Sequence, residues 1–234
     1  MAEHILKQTL NAGVPSSHLR AACTVVKVSE EGDQVRILYE ASDKTLRGIV
    51  AKAVILACPQ FVAAKILSGI EPERLAAIQQ IDYRSYLTAA VLIDKPLQRR
   101  FYDLFLVADA GASAPSRETL SHATDVIVGS LGQARGRNTV LTMYRAMPSS
   151  SARAQLMRDG SYATAHADFE KQIETELLPL LGFGMQNVKD LRIARWGHAL
   201  PVPTQGAFAK DLPAVLSKPF ANKVFFVEQD RKST

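Results

Sequence analysis

The stretch Ala53-Val54-Ile55-Leu56-Ala57-Cys58-Pro59 constrains the fold more than any other. Five apolar residues run without alternation, and the run stops at a proline. An unbroken apolar segment of strand length suits a strand covered on both faces, as in a parallel sheet. Parallel strands need long crossover connections, usually helices, so this run commits the chain to α/β architecture. A second run, Val224-Phe225-Phe226-Val227, has the same character and leads into Glu228, Gln229 and Asp230. Polar groups at the carboxyl end of such a strand stand where α/β sheets place ligands.

The rest of the pattern fits a mixture of helices and two kinds of sheet. Ile5, Leu6 and Leu10 recur at helical spacing, and Gly13 and Pro15 end that element. A β meander follows. "AACTVVKV" and "QVRILYE" flank a turn at Gly32, and "LRGIV" precedes the apolar run. Helices are expected at 60–68 and 73–80, with Pro72 at a first-turn position. "YLTAAVLIDKPL" and "DLFLVAD" read as strands, and "TDVIVGS" with "NTVLTMYRA" as a hairpin pair. Residues 110–123 read as loop. Residues 151–181 are helical, with Phe169, Ile173 and Leu177 four apart. "VKDLRIARWGHALPVP" reads as a strand running into a proline-rich loop. The expected class is therefore α/β, mixed with α+β character.

Composition narrows the function classes. The net charge of +5 over 234 residues is spread thinly, with tight clusters only at Arg99-Arg100 and Arg231-Lys232. That favours a solvated face over a nucleic-acid surface. The two cysteines, Cys23 and Cys58, lie in apolar strand-like stretches and suggest neither a disulfide framework nor a metal site. No apolar run approaches the roughly 20 residues that span a bilayer, and the first residues lack a secretory segment. A reducing cytoplasm is the expected location; the oligomeric state is left open.

The chain lacks a Walker A loop, H-E-x-x-H, C-x-x-C and G-x-S-x-G. "GSLGQARG" (129–136) reads as a hairpin turn before a phosphate cradle. Cys58 reads as a buried structural residue, although a nucleophile at a strand end is the competing reading. Trp196 reads equally as a core residue or as an aromatic wall beside a flat ring ligand. His198 reads as a surface or hydrogen-bonded histidine.

Four stretches, in this order, resemble the flavin-containing amine oxidoreductase family, which includes monoamine oxidases, protoporphyrinogen oxidases and carotenoid desaturases. They are "TVVKVSEEGDQVRILYE", "AKAVILACPQFVAAKIL", "IDYRSYLTAAVLIDKPL", and "RWGHALPVP" with "KVFFVEQD". The resemblance implies an FAD-binding Rossmann-like domain carrying a β meander, and a mixed-sheet substrate domain with helices. It implies domains at 1–60 and 216–234 for the cofactor and 61–215 for the substrate. It also implies FAD contacts at Val25, Ala57, Pro59, Trp196 and Asp230. No catalytic side chain and no metal are expected, because the flavin ring itself accepts the hydride.

The family's amino-terminal G-x-G-x-x-G is not in this sequence, and its last motif would continue past Asp230. Thr88 stands where monoamine oxidases place a lysine, which weakens the case for amine oxidation proper. The expectation is a fragment of an FAD-dependent oxidoreductase that removes hydride from a C–N or C–C bond of a small molecule, with FAD held poorly by the isolated chain. The alternative is a non-enzymatic α/β binding or interaction module. A Cys58 hydrolase is a third and weaker reading.

Overall fold

The computed structural model describes residues 2–98, 101–107, 122–129, 137–147, 150–202, 206 and 212–227. They begin with α1 (Ala2–Asn11), β1 (Thr24–Glu31), β2 (Gln34–Glu40), β3 (Leu46–Ala51), β4 (Val54–Leu56), α2 (Gln60–Ile66) and α3 (Pro72–Gln79). Next come β5 (Asp82–Ile93), β6 (Asp103–Phe105), β7 (Asp125–Val128), β8 (Thr139–Met147), α4 (Ala152–Leu156) and α5 (Ser161–Gln172). The list closes with α6 (Leu178–Leu181), β9 (Val188–Val202), α7 (Leu212–Ser217) and β10 (Val224–Phe226). The chain divides into two units, Met1–Ile81 with Thr204–Thr234, and Asp82–Pro203. Helices α2 and α3, which a boundary at residue 60 would give to the substrate side, belong to the first unit.

In the first unit β1, β2 and β3 form the expected antiparallel meander. The turn between β1 and β2 uses Gly32 at φ 56°, a left-handed conformation that glycine adopts without strain. Val35 and Tyr39 are buried on one face of β2 while Arg36 between them is exposed, so the alternation sets the register. Strands β4 and β10 pair in parallel, with Val224 opposite Val54 and Phe226 opposite Leu56. Leu56, Val224 and Phe226 join Val28, Val35, Ala63, Leu67 and Phe220 in one core. The expectation of cover on both faces is not met. Ile55 is 66% exposed, and its register partner Phe225 is 39% exposed. Adjacent strand residues point to opposite faces, and among the described residues only the Leu56 and Phe226 face is packed.

A second cluster joins Ala77 and Ile78 of α3 to Leu212 and Leu216 of α7. Arg74, only 4% exposed, closes it. Its guanidinium donates to the Leu216 carbonyl at 3.1 Å and to the Lys218 carbonyl. It also lies 4.5 Å from the Phe226 ring centroid. The last carbonyls of a helix have no partner within the helix, and here a buried side chain supplies one.

In the second unit five antiparallel strands run in the order β6-β7-β8-β5-β9. Leu87, Ala89, Val91 and Ile93 of β5 are buried against the helical layer. Ala165, Phe169, Ile173 and Leu177 are the facing residues. Four-residue steps drift about 40° per step around an α-helix. A π-helical turn at Ile173–Leu177 widens the helix there, which offsets the drift and keeps the stripe on the sheet. Arg145 and Arg195 flank Leu87 on the neighbouring strands. Arg145 pairs with Asp168 at 3.2 Å. Arg195 donates to the Leu156 carbonyl at 2.8 Å and to Ser161 Oγ at 2.7 Å. Gln172 treats Ala123 as a strand would: its amide accepts from the Ala123 N–H and donates to the Ala123 carbonyl, both at 2.8 Å.

The proline-rich loop expected after Trp196 is instead strand. Pro201 stands opposite Tyr83 and Val202 opposite Asp82. β9 lies at the sheet edge, where a missing proline N–H costs no ladder bond.

Two outcomes follow from these contacts. Arg74→Ala leaves the part-buried Lys218 carbonyl without this donor and the buried Leu216 carbonyl with only the Gln60 amide at 3.4 Å, and should cost about 2 kcal/mol in urea unfolding; a change under about 0.5 kcal/mol would contradict the clasp. At Asp94 the Lys189 ammonium, followed by the Asn187 amide, holds the carboxyl below its ordinary value of 3.8. A depressed native value means stability that is present above the ordinary range and lost as pH falls through the native value. Asp94→Asn should lower the melting temperature at pH 7, and the gap to wild type should close as pH drops below about 4. A gap unchanged down to pH 2 would exclude that origin.

Candidate functional site

The odd residues of β5 are spent on the core, so its even residues face the other way. Tyr86, Thr88 and Ala90 occupy that open face. Their register partners decide its relief. Tyr86 stands between Ala146 of β8 and Trp196 of β9, and Thr88 between Tyr144 and Ala194. Large and small residues therefore alternate across three strands. The small Ala194 leaves room for Trp196 to lean along β9, and its indole N–H donates to Thr88 Oγ1 at 3.2 Å. Tyr86 and Tyr144 meet edge to face, with ring centroids 6.5 Å apart. Trp196 is 55% exposed, so the core reading of this residue is overturned.

Charges beside this cluster are matched locally. Arg84 pairs with Asp82 at 2.5 Å, and Arg192 with Asp190 at 2.7 Å. Asp125, opposite Tyr144, accepts from the Thr124 hydroxyl at 2.6 Å. Opposite Ser85 the register of β9 shifts between Trp196 and Leu200, and the Ser85 hydroxyl donates to the Gly197 carbonyl at 3.0 Å. Bulges of this kind re-aim side chains. His198, within the shifted stretch, lies edge-on to Tyr83 at 5.7 Å. What the face presents is π surface and hydroxyl.

In the first unit Val25 lies on β1, the edge strand of the meander, beside an irregularity between Val25 and Lys27. That irregularity leaves Val26 without a counterpart on β2. Ala57 is exposed at the carboxyl end of β4, and Pro59 opens α2 three residues beyond Leu56. The parallel pair ends level, because the Val227 N–H donates to the Leu56 carbonyl at 2.9 Å. Asp230, like Glu228 and Gln229, lies outside the described residues, as does most of "GSLGQARG". Cys58 is half-buried against the Leu56 and Phe226 core and is not in a disulfide. Among the described residues no His, Cys, Asp and Glu cluster could hold a metal, and no helix is long and apolar enough to cross a membrane.

Tyr86 and Tyr144 were not singled out by the sequence alone. Strand parity carries the signal. Once Leu87, Ala89 and Val91 are assigned inward, Tyr86 must point outward, but the choice of β8 as neighbour needs the topology.

The residues present suit a planar cofactor. An exposed indole whose N–H is bonded to Thr88, with Tyr86 opposite it, offers a flat ring the offset and edge-to-face contacts that π systems favour.

The family model for flavin containing amine oxidoreductase matches residues 3–159, more than half of the chain. Two solved structures from a redesign of cofactor binding in putrescine oxidase, a single and a double mutant, share the fold. Their TM-scores are 0.56 and 0.57, each at 15% identity, and each alignment covers 89% of this chain. The chain spans 43% of the length of either neighbour. No curated protein matches the sequence.

The geometry of Trp196, the chain's single tryptophan, fixes its spectroscopic behaviour. Its emission should be that of a partly solvated indole, readily quenched by acrylamide. A blue-shifted, quencher-resistant emission would mean that the open face is covered in solution.

Proposed function

Because the chain belongs to the flavin-containing amine oxidoreductase family, we propose that it forms part of an FAD-dependent oxidoreductase that removes hydride from a C–N or C–C bond of a small organic substrate. The observation that carries this reading is Trp196 on the open face of the five-stranded sheet, bonded to Thr88 and standing opposite Tyr86, which meets Tyr144 edge to face. The bound FAD would supply the hydride acceptor. The chain's own residues would bind and orient. Trp196 would stand beside the isoalloxazine ring. Val25 would offer backbone groups to the adenine. Ala57 and Pro59 would border the cofactor at the end of β4, and Asp230 would approach the ribityl or pyrophosphate groups.

On this reading the first unit serves the cofactor and the second the substrate. The substrate side is an apolar and aromatic sheet face, extended along β9 by Leu200 and Val202, both exposed. That surface suits hydrophobic or cyclic molecules, which gain about 25 cal/mol for each Å² of apolar area removed from water. The 43% share of each neighbour's length supports a partial cofactor site rather than a whole one.

The test is a titration of the purified chain with FAD, followed by visible circular dichroism. FAD should acquire an induced signal on binding, and gel filtration should then strip most of it. Trp196→Ala should abolish the induced signal with little change in melting temperature, because the ring is largely exposed. Absence of any induced signal at saturating FAD would overturn the flavin reading. Stoichiometric flavin surviving gel filtration would overturn the partial-site reading alone.

A further inference from the structure

We propose that Thr88 is a positioning residue: its hydroxyl sets the plane of the Trp196 ring, and it does so because residue 88 is a hydrogen-bond acceptor rather than a cation. The relevance to flavin rests on the reading above; the positioning itself does not. Trp196 has one polar atom, an N–H that can only donate. That donor goes to Thr88 Oγ1 at 3.2 Å. A lysine at this position would bring three donors and no acceptor. An ammonium at residue 88 and an indole N–H tied to residue 88 therefore exclude one another. The register makes the contact specific. Thr88 stands opposite Ala194, two residues from Trp196, so the indole crosses a small residue to reach the hydroxyl. Tyr86, directly opposite Trp196, sits beside the indole and is itself braced by Tyr144. Without the Thr88 acceptor, a ring that is 55% exposed keeps only lateral contacts and can turn about its side-chain bonds.

A hydroxyl that accepts from the indole retains its own proton for donation. Thr88 thus offers an O–H to an acceptor atom on whatever planar ligand covers Trp196. Thr88 is a half-buried residue on the open face, so substitutions there leave the core side of β5 untouched.

The single tryptophan makes the test direct. Time-resolved anisotropy of Trp196 should show one slow decay in wild type and in Thr88→Ser. Thr88→Val, which keeps the shape and loses the acceptor, should gain a fast component of about half the initial anisotropy. Thr88→Lys should behave like Thr88→Val although it carries a long side chain, and Thr88→Ala provides a second acceptor-free variant should Thr88→Val fold poorly. Decays of Thr88→Val and Thr88→Ala that superimpose on wild type would overturn the proposal, and so would a Thr88→Ser decay with the fast component. FAD affinity, read in parallel by induced circular dichroism, should fall about threefold or more in Thr88→Val and recover in Thr88→Ser. The anisotropy measurement needs no flavin, so a chain that takes up no FAD counts against the functional reading, and the decay still decides the role of Thr88.

Discussion

A strand can give only one set of alternate residues to its core, and β5 has committed the set that begins at Ser85. Leu87, Ala89, Val91 and Ile93 are buried beneath the helical layer, and β8 and β9 pair with β5 on either side from Tyr86 to Ile93, with an irregularity in β9 before Ile93. Everything else in the second unit is subordinate to that commitment. Arg145 and Arg195 flank Leu87 on the inner side, Arg145 with its side chain 12% exposed and Arg195 exposed at the sheet edge, and neither packs as an apolar side chain would. They tether α5 and the end of α4 instead. The same parity sends Tyr86 and Thr88 outward, and the pairing then brings Tyr144 and Trp196 beside them. A slip of one residue would exchange the two faces. The site is thus the complement of the core, written into the same strand.

The first unit obeys a looser version of this rule. Its parallel pair buries Leu56, Val224 and Phe226 and leaves Ile55 and Phe225 open. The unbroken apolar run at 53–57 announces the parallel pairing correctly, since β4 does pair in parallel with β10. It overstates the cover, because sequence records how apolar a residue is and not which element lies over it. The same distinction explains the boundary. Ala77 and Ile78 have the spacing of any amphipathic helix, and nothing local to them specifies that their partners are Leu212 and Leu216. Long-range partners are invisible to periodicity.

β9 shows the opposite kind of error, in which local chemistry is read too strictly. Two prolines within four residues suggest a loop, and in a central strand they would require one. An edge strand relaxes the demand, so the strand runs to Val202. Edge position is a property of the whole sheet. It also explains why the only tryptophan can remain exposed there, with one hydrogen bond to Thr88 as its polar contact. Ala57 and Pro59 were legible as strand-end positions and Val25 came only from the family resemblance, whereas the aromatic pair of Tyr86 and Tyr144 needed the strand order.

The balance of charge on the open face limits how it can discriminate among ligands. Arg84 and Asp82 satisfy each other, as do Arg192 and Asp190, and such exposed pairs contribute little field beyond their own contact. Asp125 is engaged by a hydroxyl rather than by a cation, and it stands two strands away from Thr88, beyond Tyr144. With a lysine at residue 88 the centre of the cluster would carry a positive charge that repels an ammonium and attracts an anion. With threonine it carries neither, and the indole edge is tied down instead. Selection on such a surface falls to ring shape, π contact and a single donated proton. Those terms are short-ranged and orientation-dependent, so on the proposed reading the plane of Trp196, more than any charge, would set which ligand geometry the face accepts.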